Sequence, residues 1–108
     1  MKIIFSYNSN KIFKIIKNSE TTGIILGNVI GDHVLIENLF PINYETIISN
    51  YENIYYQFNN NFLGIFLFNK ELQIDEIFLG DFILINQNGR LSLKKIDLNN
   101  NKITLTGI

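Results

Sequence analysis

A chain of 108 residues is the size of one domain, and with 46% hydrophobic and 18% charged residues it can bury a core and is not disordered. A formal net charge of −1, with the nine lysines and arginines scattered, argues against nucleic-acid binding, and the absence of cysteine excludes disulfides and thiolate chemistry. No apolar run approaches the roughly 20 residues that span a membrane, and Met1 to Phe5 is too short an apolar core for a signal peptide, so the expected location is the cytoplasm.

The chain opens on a short strand at residues 2–5. Ser6 to Asn10 are cap and turn formers, and Lys11 to Asn18 reads as a helix whose apolar side chains are Ile12, Phe13, Ile15 and Ile16. Thr22 to Gly27 is a buried strand bracketed by Gly23 and Gly27. Gly31-Asp32 marks a hairpin turn, and His33 to Glu37 is the returning strand, ended by Phe40-Pro41 because proline cannot continue a hydrogen-bonded ladder.

Tyr44, Ile47, Ile48, Tyr51, Ile54, Tyr55 and Phe58 follow the i, i+3, i+4, i+7 spacing of one long amphipathic helix over 44–58. Its other side is polar except at Tyr56. Phe62 to Phe68 is apolar without alternation, as expected of a central strand covered on both faces. A short helix over 71–79, a buried strand over 81–86, a turn at Asn88-Gly89 and strands around Leu91, Leu93 and Asp97 and over 102–106 complete the chain. The expectation is a single α+β domain over 1–108, a mixed sheet flanked by two main helices in the order β-α-β-β-α-β-(α)-β-β-β.

Few residues invite chemistry. His33 is the single histidine and has no evident nucleophile or metal partner, so it reads as an exposed loop residue. No Gly-x-Ser-x-Gly is present. Asp75, Glu76 and Asp81 read as solvated carboxylates, and Glu45 and Glu52 as the outer face of a helix rather than an acid/base pair. Lys11, Lys14 and Lys17, with Lys94 and Lys95, are the nearest approach to a basic patch and read as solvated faces. Gly-Ile-Ile-Leu-Gly has the wrong spacing for a phosphate loop, and its glycines read as places of close backbone approach.

In order and spacing, the chain resembles the MPN domain family. Glu20 followed by Gly23-Ile24-Ile25-Leu26-Gly27 resembles the family's Glu-x-x-Gly-x-Leu-x-Gly opening. Val34 to Pro41, with Asn38 and Phe40 in it, resembles the next strand of the family. The helix over 44–58 leading into Phe62-Leu63-Gly64-Ile65-Phe66 resembles its helix and V-G-W-Y strand. Asp81 to Ile85 and then Gly89 to Leu98 resemble its closing hairpin.

Active members of that family bind zinc through a His-x-His pair and an aspartate, with a serine nearby and an upstream glutamate as base. Here Glu20 stands near the place of the base, but Leu67 and Asn69 occupy the histidine positions, and Ile77 and Gly80 fall where serine and aspartate belong. Leucine has no lone pair and a carboxamide is a poor zinc ligand, so a catalytic site of three protein ligands cannot form from these positions. The resemblance therefore implies no enzyme, no metal and no cofactor. It implies a scaffold subunit that pairs with another MPN-domain subunit, as in translation initiation factor three (its H or F subunit), the proteasome regulatory lid or the signalosome. Phe13, Ile16 and Tyr56 are the expected partner-binding residues, because the first helix spreads its apolar side chains over roughly 160°, more than one core contact needs. Direct contact with nucleic acid or membrane is not expected. The competing expectations are a free-standing α+β binding module and an enzyme with an unrecognised site.

Overall fold

The computed structural model describes residues 2–58, 60–71, 80–99 and 102–107, with side chains up to residue 96. The expected short helix over 71–79 lies, but for Glu71, outside the described residues.

The described residues form a mixed α+β fold. Strands β1 (Lys2–Phe5), β2 (Thr21–Ile30), β3 (His33–Pro41), β4 (Phe62–Phe68), β5 (Phe82–Gln87), β6 (Arg90–Asn99) and β7 (Lys102–Gly107) make one seven-stranded sheet in the order β1-β3-β2-β4-β5-β6-β7. The β1–β3 and β4–β5 pairs are parallel and the other four are antiparallel. The turns were legible: Gly31 has φ 58°, and Asn88 and Gly89 have φ 52° and 78°, the left-handed pair that a two-residue hairpin requires. Gly23 earns its place by contact. A Cβ there would strike the Phe40 carbonyl oxygen of β3 and the Phe66 ring, so it is a packing glycine in a buried strand.

Helix α1 (Tyr7–Ile16) lies against one face of the sheet, and α2 (Tyr44–Ser49) and α3 (Tyr51–Phe58) against the other. Strand alternation sorts the core between them. Ile25, Phe66, Phe68 and Leu84 point to the α1 side, and Ile24, Ile65, Leu67 and Ile83 to the α2–α3 side. The continuous apolar run of β4 thus has the cause expected of it: both of its faces are covered.

Two helical expectations are corrected. The first helix begins at Tyr7 rather than Lys11, because Ser6 is its N-cap and accepts a hydrogen bond from the Ser9 amide at 3.1 Å. Ser9 Oγ in turn donates to the Ile36 carbonyl at 2.6 Å, tying the helix start to β3. The long helix is two helices. Asn50 caps α2 with φ −120° and ψ 24°, and the axis restarts at Tyr51. The buried side is narrower than the expected stripe: Ile47 and Ile54 are buried, whereas Ile48, Tyr51 and Tyr55 are 36%, 39% and 45% exposed.

Candidate functional site

The site the sequence singles out lies at the carboxyl end of β4, next to the amino end of β2 and the first turn of α2. Leu67 is 1% exposed and packs in the core beneath α2 and α3. Its backbone pairs with Thr22 on one side and Ile85 on the other, so its position is fixed by the centre of the sheet.

Asn69 follows the strand in a left-handed conformation, φ 57°, which asparagine tolerates better than most residues. Its amide nitrogen donates to the Asn86 carbonyl at 2.7 Å. Its Nδ2 donates to the Lys17 and Ser19 carbonyls at 2.9 and 2.8 Å, and Asn86 Nδ2 donates to the Lys17 carbonyl at 2.8 Å. A helix leaves its last carbonyls without intrahelical partners. Here two carboxamides from β4 and β5 reach the segment that leaves α1. Asn69 and Asn86 are therefore a latch between the sheet and the first helix, and the Asn69 side chain is committed to it.

Beside Asn69 a cleft of about 570 Å³ opens between Glu20, the outer side of α2 and Lys70. Lys70 Nζ stands 3.9 Å from Glu20 Oε1 and 5.1 Å from the centre of the Tyr44 ring. Glu45 and Glu71 add two carboxylates to the rim, and Ile48 and Ser49 line the α2 wall. Ile48, about 100° round α2 from the buried Ile47, faces the cleft. Lys70, Tyr44 and Ser49 were not singled out from the sequence. Their convergence depends on where the end of β4 meets α2, which no local pattern encodes.

Ser49 Oγ donates to the Thr46 carbonyl at 3.4 Å and accepts from Asn50 Nδ2 at 3.2 Å, and among the described residues no imidazole lines the cleft. His33 begins β3 at the far end of β2 from Glu20, partly buried in a second groove of about 430 Å³ with Ile4, Ile30 and Leu35. It is a strand-end residue rather than a loop residue. Among the described residues no three His, Cys, Asp or Glu side chains gather to hold a metal ion.

The other positions singled out are dispersed. Gly80 and Asp81 sit where β5 starts, beside Leu63 and Gly64, at the opposite end of the parallel β4–β5 pair from Asn69. Asp75, Glu76 and Ile77 lie outside the described residues. Phe13 stacks on Phe5 at 5.2 Å between ring centres and meets the edge of Phe68 at 5.5 Å, and Ile16 packs against the same core. Tyr56 is 75% exposed on the opposite face of the sheet. One protomer therefore does not bring Phe13 and Ile16 together with Tyr56, and Tyr7 and Ile15 are the apolar side chains that α1 turns outward.

No protein-family model matches the chain, and no curated protein matches it either.

Proposed function

We propose that this chain is a non-catalytic MPN-type domain, a scaffold subunit of a large cytosolic assembly that acts by pairing with a second MPN-type subunit. One observation carries the reading. The two positions that would supply histidine ligands hold Leu67, sealed in the core, and Asn69, whose amide bridges the Lys17 and Ser19 carbonyls. Neither can present an imidazole-like lone pair to a metal. The assembly proposed first is translation initiation factor three, in an H- or F-like role, and second the proteasome regulatory lid.

Affinity purification from the native cell with mass spectrometry, together with elemental analysis, tests this. The expected result is a co-purifying MPN-type chain, far less than one zinc per chain and no isopeptide cleavage. About one tightly held zinc per chain overturns the non-catalytic reading, and the absence of any MPN-type chain overturns the pairing.

The cleft beside Lys70 favours a second reading, a free-standing α+β module that binds a small ligand there. A thermal-shift screen yielding a ligand whose effect is lost in Lys70→Ala, with no MPN-type partner recovered, would select it.

A further inference from the structure

The two helical layers present opposite charge on their outer surfaces. Residues 7–17 carry Lys11, Lys14 and Lys17 and no acidic residue, and all three lysines are exposed. At 100° per residue Tyr7, Lys11, Lys14 and Ile15 fall within an arc of roughly 100° on the side away from Phe13 and Ile16. Tyr7 is 84% exposed and Ile15 75%.

Residues 44–58 carry Glu45 and Glu52, both exposed, and no basic residue. On α3 Tyr51, Glu52, Tyr55 and Tyr56 are exposed and span an arc of roughly 140°, its centre about 130° from the buried Ile54. Each surface therefore combines exposed apolar or aromatic groups with a single sign of charge.

We propose that the α1 surface of one copy docks on the α3 surface of another, so that the chain associates with itself head to tail. Charge complementarity selects this pairing. Lys11 Nζ already stands 5.9 Å over its own Tyr7 ring, the contact that Lys11 and Lys14 can repeat on the Tyr55 and Tyr56 faces while Glu52 meets their charge. Pairing α1 with α1 sets lysine against lysine, and α3 with α3 sets Glu52 against Glu52; both are penalised. The two surfaces lie on opposite faces of the sheet, so the contact is heterologous and leaves a free surface at each end, which lets association continue past a dimer.

Sedimentation velocity of the whole chain over a concentration series, at low and high salt, tests this. Wild type should exceed twice its 12.5 kDa mass as concentration rises, and should dissociate at high salt. A Lys11→Glu, Lys14→Glu variant and a Glu52→Lys, Tyr56→Ser variant should each be monomeric with an unchanged circular dichroism spectrum. Mixed in equal amounts, the two variants should associate, because the unaltered α3 surface of the first meets the unaltered α1 surface of the second. Lys11→Gln, Lys14→Gln replaces the first variant, and Glu52→Gln, Tyr56→Ser the second, if either fails to fold, and each should lose association on its own. A monomeric wild type at every concentration overturns the proposal, as does a single variant that still dimerises or a mixture that does not pair. A monomeric wild type that nonetheless captures a second MPN-type chain overturns self-association and leaves the proposed function standing.

Discussion

At the scale of single residues, Asn69 has two roles. Its backbone turns through a left-handed conformation at the end of β4, and its side chain ties the end of α1 to the sheet. The roles separate by substitution. Asn69→Gly keeps the permitted backbone and loses the side-chain bonds, and should cost about 1 kcal/mol, since the carbonyls left behind can turn to water. Asn69→Ala adds the left-handed penalty of a Cβ and should cost about 2–3 kcal/mol. Urea midpoints should therefore fall in the order wild type, Gly, Ala. Equal midpoints for the Gly and Ala variants would show that the backbone role is absent. Leu67 and Asn69 were legible as positions to inspect through the family resemblance alone. What Asn69 does was not, because its partners Lys17 and Ser19 come from a segment about fifty residues earlier and meet it only in the folded sheet.

At the scale of elements, the expected long helix stops at Ser49 and restarts at Tyr51. At 100° per residue Ile47 and Ile54 fall within about 20° of each other at one edge of the apolar stripe, and Ile48 and Tyr55 within about 20° at the other. The first edge faces the core, with Ile47 and Ile54 inside, and the second leaves Ile48 on the cleft wall. An aspartate at 47 or 54 would bury a carboxylate among Ile24, Ile65 and Leu67, at a cost of several kcal/mol, comparable with the ~5–15 kcal/mol that holds a domain together. Ile47→Asp and Ile54→Asp should fail to fold or melt far below wild type. Ile48→Asp should shift the melting temperature by only a few degrees, about the effect of 0.5–1 kcal/mol. A collapse of Ile48→Asp comparable to that of Ile54→Asp would mean that Ile48 belongs to the core as well. The break had a signal in Ser49-Asn50, two residues that favour caps over helix interiors, but the apolar period ran through it and outweighed it. The start of α1 was missed in the same way. Ser6 was legible as a cap, yet polar Asn8, Ser9 and Asn10 hid the helical turn it caps. The strands fared better because their cause is local: a run such as Phe62–Phe68 has no polar residue to offer to solvent on either face.

At the scale of the molecule, one sheet serves two cores. Strands β2, β4 and β5 present Ile25, Phe66 and Leu84 to α1, and Ile24, Ile65 and Ile83 to α2 and α3. Neither helical layer can detach without stripping a face from strands the other layer depends on, so the two cores should unfold as one cooperative unit. The tyrosines provide a spatial test. Four of the five, Tyr44, Tyr51, Tyr55 and Tyr56, belong to α2 and α3, and with no tryptophan in the chain their fluorescence reports chiefly on that layer. Phe13 lies across the sheet from them, against Phe5 and Phe68. Phe13→Ala removes a half-buried ring, at a cost of about 2 kcal/mol, below the range for a fully buried phenylalanine. That corresponds to a fall in melting temperature on the order of 10 °C for a chain of this length. The tyrosine signal and the far-ultraviolet circular dichroism should fall by the same amount and remain superimposable, although no tyrosine of α2 or α3 touches the substituted residue. If the dichroism midpoint drops while the tyrosine midpoint stays at its wild-type value, the α2–α3 layer holds its part of the sheet alone, and the two faces are energetically separate.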